Sequence, residues 1–150
     1  MTTVMVTASG APGTAALLRA LRENGEHDVR LVGIDMSERS IGRHLCDVFH
    51  VVPPGSDPQY ADAVLALVER ERVDVVLPQS SFDLPGLAAA RERFPVPVLV
   101  SSAETVRRSN DKAETYSLLQ RIGVPTIEFR RVNGKRHSIT GPREYLKKSA

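Results

Sequence analysis

The chain has 150 residues, 41% hydrophobic and 25% charged, with 5% aromatic residues and no Trp. This is the make-up of one ordinary folded domain with an aliphatic core and a short appendage, and it excludes a disordered chain. No apolar run approaches the roughly 20 residues that a bilayer span requires, Met1-Thr2-Thr3-Val4 lacks the pattern of a signal peptide, and the lone Cys46 excludes an internal disulfide, so a cytoplasmic setting without membrane contact is expected.

The net charge of +2 is unevenly spread. Residues 1–129 carry 13 Lys+Arg against 17 Asp+Glu, or −4, whereas residues 130–150 carry seven basic groups against Glu144, or +6. A basic tail of this kind either seeks phosphate or nucleic acid, or is simply a solvated end, and the second reading is the one adopted, so no nucleic-acid partner is expected.

In chain order, Thr3–Thr7 is a short β-branched strand that ends in the turn Ala8-Ser9-Gly10-Ala11-Pro12-Gly13. A helix from Thr14 to Asn24 follows, with Leu17, Leu18 and Leu21 on one face and Gly25 as its stop. Val29–Ile34 is the second strand, leading to Asp35, and Val48–Val52 the third. Asp57-Pro58 opens a helix striped with Tyr60, Val64, Leu67 and Val68 that runs to Arg72. Val73–Leu77 is the fourth strand, Leu84–Arg93 an alanine-rich helix and Val96–Val100 a fifth strand, where Pro97 argues for an edge position or a strand start. Ser109-Asn110-Asp111-Lys112 leads a further helix ended by Gly123-Val124-Pro125. A strand over Ile127–Val132, a hairpin at Asn133-Gly134 and a last helix from Pro142 complete the pattern.

Strands separated by helices imply parallel crossovers, and their almost continuous Val/Ile/Leu character implies a sheet covered on both faces. The expected fold is therefore α/β, a Rossmann-like doubly wound parallel sheet with a short C-terminal extension. Ligands of such a sheet sit outside the carboxyl ends of the strands, near the switch in strand order.

Three loops fall at that edge. Ser9, Gly10 and Gly13 lie between a strand and a helix N-terminus, where free amides and the helix dipole favour an anion. Ala8 stands where a dinucleotide fingerprint has its first glycine, and Thr14 follows Gly13 directly where a P-loop needs lysine, so neither motif is present. The alternative is that these glycines serve helix–strand packing. Asp35 stands where Rossmann proteins place an acid for a ribose hydroxyl, or else caps a helix over Met36-Ser37-Glu38. Ser80, Ser81 and Asp83 gather hydroxyls and a carboxylate after the fourth strand, unless Ser81 or Asp83 only caps the next helix. His44, Cys46, Asp47 and His50 have no common zinc spacing, so no metal site is expected. Ser109-x-x-Lys112 matches one serine-enzyme motif, but its companion motifs do not follow. No catalytic residue is identified by pattern alone.

From Val4 to about Ile127 the segments resemble the N-terminal part of the ATP-grasp superfamily, nearest to ligases like the carbamoyl-phosphate synthase large subunit. The resemblance rests on Val6-Thr7-Ala8-Ser9-Gly10, Val32-Gly33-Ile34-Asp35, Val52-Pro53-Pro54 with Asp57-Pro58-Gln59-Tyr60, and Val73–Pro78. Its most specific part is Asn110-Asp111-Lys112 followed by Leu118–Thr126. It implies a pre-ATP-grasp domain over residues 1–103 and the incomplete start of an ATP-grasp domain over 104–150. It further implies that Gly10 and Gly13 face a small carboxylate substrate and that Lys112 reaches an ATP phosphate, with Mg2+ serving the complete enzyme. The family's reaction forms an acyl phosphate from a carboxylate and ATP, which an amine then attacks.

Two departures stand out. Ser81 and Asp83 occupy positions where the family usually has Asp and Glu. The second phosphate-binding lysine, the glycine-rich lid and the magnesium ligands find no match after Lys112, where the acids are Glu114, Glu128 and Glu144. The expectation is therefore an N-terminal fragment or split subunit, inactive alone and working with a C-terminal ATP-grasp partner chain, with a homo-oligomer also open. The rival readings are an NAD(P)- or nucleotide-binding Rossmann module, resting on Gly10, Gly13 and Asp35, and a non-catalytic interaction module with a basic tail.

Overall fold

The computed structural model describes residues 1–127; the expected strand through Val132, the Asn133-Gly134 hairpin, the helix from Pro142 and the basic tail lie outside the described residues. The chain divides into two compact units, Met1–Ala103 and a second that begins at Glu104.

The first unit is built on four strands, β1 (Thr2–Val6), β2 (Val29–Asp35), β3 (Val48–Val51) and β4 (Val75–Leu77), in the order β3-β2-β1-β4. Every pairing is parallel. Val4 stands opposite Leu31 on one side and Val75 on the other, and Val6 opposite Gly33 and Leu77, so β1 is the middle of the sheet. Because successive side chains of a strand point to opposite faces, β1 feeds two cores. Val4 and Val6 pack with Leu18 and Leu31, beneath Leu17, Leu21 and Leu45, on the side of helices α1 (Thr14–Arg22) and α2 (Gly42–Leu45). Met5 packs with Val32, Ile34 and Val76 against Tyr60, Val64 and Val68 of α3 (Tyr60–Glu71) and Leu87 of α4 (Leu84–Ala90). Both faces are buried, which accounts for the unbroken aliphatic strands.

The expected fifth strand over Val96–Val100 is not formed as a strand. It is reduced to one parallel bridge between Val76 and Val98. The Val76 N–H donates to the Pro97 carbonyl and the Leu99 N–H to the Val76 carbonyl, both at 2.9 Å. Pro97 has no N–H to give and Leu99 is 60% exposed, so the segment closes an edge instead of extending the sheet.

Helix boundaries are also corrected. The first helix ends at Arg22, short of Asn24. The third begins at Tyr60 and not at Asp57-Pro58. Asp57 still organises its start, accepting the Gln59 N–H on its carboxylate (2.8 Å) and the Tyr60 N–H on its carbonyl (3.0 Å). The alanine-rich helix tightens after Ala90 into a 3-10 turn over Arg91–Arg93. No helix forms over Met36-Ser37-Glu38.

An unanticipated helix, α5 (Ala103–Asn110), opens at the boundary between the units, so that Ser109 and Asn110 end one helix and do not lead the next. Asp111 caps α6 (Lys112–Arg121), its carboxylate accepting the N–H groups of Ala113 (2.9 Å) and Glu114 (3.1 Å). Gly123, at φ 75°, terminates it. No helix among the described residues is long and apolar enough to cross a membrane.

A charged clamp joins α3 to the sheet. Glu71 receives Arg30 Nη2 at 2.7 Å and lies 2.9 Å from His50 Nε2, while Arg30 Nη1 donates to the Glu71 carbonyl at 2.9 Å. The Arg30 guanidinium first, against the opposing push of burial, and then His50 and Arg70 hold the Glu71 carboxyl down at about 2. A carboxylate whose folded value lies below its unfolded one stabilises the fold above the unfolded value and loses that contribution as pH falls. Urea denaturation should therefore show wild-type stability declining between pH 4.5 and about 2, with Glu71→Gln less stable at neutral pH and flatter across that window. Parallel profiles for the two proteins would remove Glu71 from the account.

Candidate functional site

All strand C-termini point the same way, so the loops after β1, β2, β3 and β4 share one edge. The order β3-β2-β1-β4 places the switch in strand order beside β1, between the loops that follow β1 and β4.

The loop after β1 is tied down on both sides. The Thr7 N–H donates to the Leu77 carbonyl (3.1 Å) and the Ser9 N–H to the Ile34 carbonyl (3.0 Å). The Gly10 N–H donates to Asp35 Oδ2 at 2.8 Å, and Asp35 Oδ1 accepts the Ser37 N–H at 3.0 Å. Asp35 thus ties its own turn to the first loop and caps no helix. Ala8 holds φ 45° and Gly13 φ 88°, the turn that delivers the chain into α1.

Beneath the exposed tips lies a buried polar layer. Ser9 is fully buried, with its Oγ 3.3 Å from that of buried Ser40. Gly42 must be glycine, because a Cβ there would run into the Ser9 side chain. Asp83 is 5% exposed and accepts the Thr7 hydroxyl at 2.6 Å. It stands at the N-cap of α4 without capping it, contrary to the capping alternative. Burial, with a smaller push from Asp35, raises the Asp83 carboxyl above its ordinary range, against the neighbouring Thr7 and Tyr60 hydroxyls. Burial, and then Asp83, likewise raises the Tyr60 phenol.

The sequence-predicted residues therefore divide. Ser9 and Asp83 are buried in the floor, Gly10, Gly13 and Ser81 are exposed, and Asp35 and Ser80 are half-buried. Ser80 accepts the Phe82 N–H on its hydroxyl (3.2 Å) and the Asp83 N–H on its carbonyl (3.0 Å). Lys112 belongs to the other unit, exposed at the start of α6 and without an ion pair among the described residues. The sequence reading did not single out Thr7, Ser40 or Tyr60 as site residues. A Tyr on an apolar helix stripe was the available signal, since a buried phenol usually needs a polar neighbour.

The edge is acidic. Residues 7–13, 35–41, 52–59 and 78–83 carry Asp35, Glu38, Asp57 and Asp83 against Arg39, a formal −3. An anion held here relies on backbone amides, since the loops offer it one cationic side chain. Among the described residues no group of three or more His, Cys, Asp or Glu is placed to hold a metal. Of the residues weighed for one, His50 meets Glu71, Asp47 accepts the Leu31 N–H (2.7 Å) and Arg22 (3.0 Å), and Cys46 lies under Gly33, its thiol pushed up to about 11 by burial and by Asp47. The second unit has a cleft of about 210 Å³ lined by Arg107, Arg108, Glu114, Ser117, Leu118 and Arg121. Arg107 is already bonded to both Glu104 and Glu114 there.

Residues 4–99 match the family model described as the PylC-like N-terminal domain. The chain belongs to that family. The ATP-grasp resemblance of its motifs agrees with a curated relative, the carbamoyl-phosphate synthase of Methanobrevibacter smithii, which is 28% identical over 115 residues, 73% of this chain and 29% of that protein. Two solved structures share the fold. Glycinamide-RNase-transformylase T from Mycobacterium tuberculosis aligns with a TM-score of 0.65 and 22% identity over 85% of this chain and 38% of its own. N5-carboxyaminoimidazole synthetase from Staphylococcus aureus, complexed with ADP, aligns with a TM-score of 0.65 and 14% identity over 87% of this chain and 32% of its own. The chain thus spans about a third of the proteins it matches.

The two loop glycines make a separable prediction. A Cβ on Gly10 would lie 2.7 Å from Ser40 Oγ and 3.0 Å from Asp35 Oδ2, whereas one on Gly13 meets nothing within 4 Å but must hold φ 88°. Gly13→Ala should cost roughly 1–2 kcal/mol in urea denaturation through backbone strain alone. Gly10→Ala should be partly rescued by Ser40→Ala, and Gly13→Ala should not. Equal rescue of both would contradict the packing described here.

Proposed function

We propose that these 150 residues are the N-terminal part of an ATP-grasp carboxylate–amine ligase and contribute its substrate-facing loops and one phosphate-binding lysine. The observation that carries this reading is a PylC-like N-terminal domain followed by a helix that begins at exposed Lys112. In this reading Gly10, Gly13 and Asp35, with Ser80 and Ser81, border a small carboxylate substrate, and Ser9 and Asp83 form the floor under it. In the same reading the positive end of α1 meets the negative end of the substrate. The ammonium of Lys112, a flexible point charge, neutralises an ATP phosphate. Asp111 already occupies the first amides of α6, so a phosphate there meets the lysine and not the helix end.

ATP with Mg2+ would supply the γ-phosphoryl group that turns the carboxylate into an acyl phosphate, with ADP as the leaving group. Among the described residues no group of three or more His, Cys, Asp or Glu is placed to hold a metal. In this reading the magnesium ligands, the second lysine and the lid come from a C-terminal ATP-grasp partner, as a chain or as further domain. The setting is cytoplasmic. Acting without that partner, these residues hold ATP weakly and do not ligate.

Isothermal titration with ATP-Mg tests the reading. The 150 residues alone should give no micromolar affinity and no ATP turnover. Micromolar ATP affinity or ATP turnover, obtained without a partner, would contradict it. Quenching of NADH fluorescence at micromolar protein would instead favour a Rossmann dinucleotide module.

A further inference from the structure

We propose that Asp83 is a positioning residue that fixes the loop after β1 from below through Thr7, and is not itself a ligand contact. The inference rests on the reading of that loop as ligand-facing, and it assigns Asp83 a different role from the exposed residues of the edge.

Asp83 is 76 residues from Thr7 in sequence, yet both are buried and their side chains meet at 2.6 Å. The direction of the bonds is determined. Thr7 Oγ1 accepts the Gln79 N–H at 3.2 Å, so its single proton is available for Asp83 Oδ2. Together with its own N–H on the Leu77 carbonyl, Thr7 is held to β4 and the following loop by three bonds. Three residues later Gly10 is held to Asp35 on the opposite side, so the loop is stretched across the switch in strand order between two carboxylates.

The surroundings are shaped to keep Asp83 in place. An Asp at a helix N-cap ordinarily accepts the amides of the first turn, and Asp83 forgoes them to face Thr7. The loop after β3 is fitted around it, since a Cβ on Gly55 would collide with Asp83 Oδ1 and lie 2.9 Å from both the Asp83 nitrogen and the Phe82 carbonyl carbon. Tyr60, 2% exposed at the start of α3, faces both Thr7 and Asp83. A single buried carboxylate therefore sets the loops after β1, β3 and β4 against one another.

Amide hydrogen exchange on the full chain, with no ligand present, tests the proposal. Thr7→Val and Asp83→Ala should each accelerate exchange across residues 8–13 by about tenfold, the change expected on losing one charge-assisted hydrogen bond. The amides of Leu31, Val32 and Ile34 in β2 should stay near wild type. Thr7→Ser, which keeps the hydroxyl, should behave like wild type, and the double variant should exchange no faster than the faster single one. Unchanged exchange over residues 8–13, acceleration of equal size in β2, or Thr7→Ser as disruptive as Thr7→Val would overturn the proposal. If Asp83→Ala does not fold, the Thr7 pair decides. Because no nucleotide or substrate enters, failure here removes the positioning role alone, whereas ATP affinity without a partner would remove the functional reading.

Discussion

The fold depends on the burial of both faces of β1. Val4 and Val6 on one side and Met5 on the other are almost wholly removed from water, and each such side chain contributes about 1.5–3 kcal/mol. A strand that is apolar on both faces is stable only with helices above and below it, and parallel neighbours can be reached only by crossovers. Once helices alternate sides around a parallel sheet, every strand ends in the same direction. The gathering of loops at one edge is therefore a consequence of the core, not a separate device.

What that edge can do follows from how its polar groups are distributed. Its tips expose glycine backbone and half-buried Asp35, while its floor is a buried layer of Thr7, Ser9, Ser40, Tyr60 and Asp83. Buried polar groups of this kind are costly unless paired, and no buried side-chain nitrogen or oxygen among the described residues lacks a partner. A satisfied network rigidifies what stands above it. The loops themselves carry an acidic formal charge of −3.

The parallel sheet was legible because its strands are short runs of Val, Ile and Leu separated by helices with clear turns. The PylC-like family match covers residues 4–99, and so the strand and loop motifs up to Pro78 on which the ATP-grasp resemblance drew, but not the Asn110–Thr126 segment. The fifth strand was misread because Val96–Val100 has a strand's composition, while Pro97 withholds one of the donors that a full ladder needs. Helix α5 was missed because Val106 is its one buried residue, and Glu104, Arg107 and Arg108 give no apolar stripe to read. The floor of the candidate site was hidden for another reason. Thr7 and Asp83 lie on different strand–loop units, and no local pattern encodes a contact between residues so far apart in the chain. Asp83 looked like a cap by position and proved to face inward.

The central claim, a parallel sheet with β1 between β2 and β4, is tested most directly by nuclear Overhauser contacts between backbone protons of the first unit in solution. The account predicts cross-strand contacts of Met5 with Val32 and with Val76 in the parallel pattern. Close α-proton to α-proton contacts between these strands, the mark of antiparallel pairing, would contradict it and remove the shared loop edge.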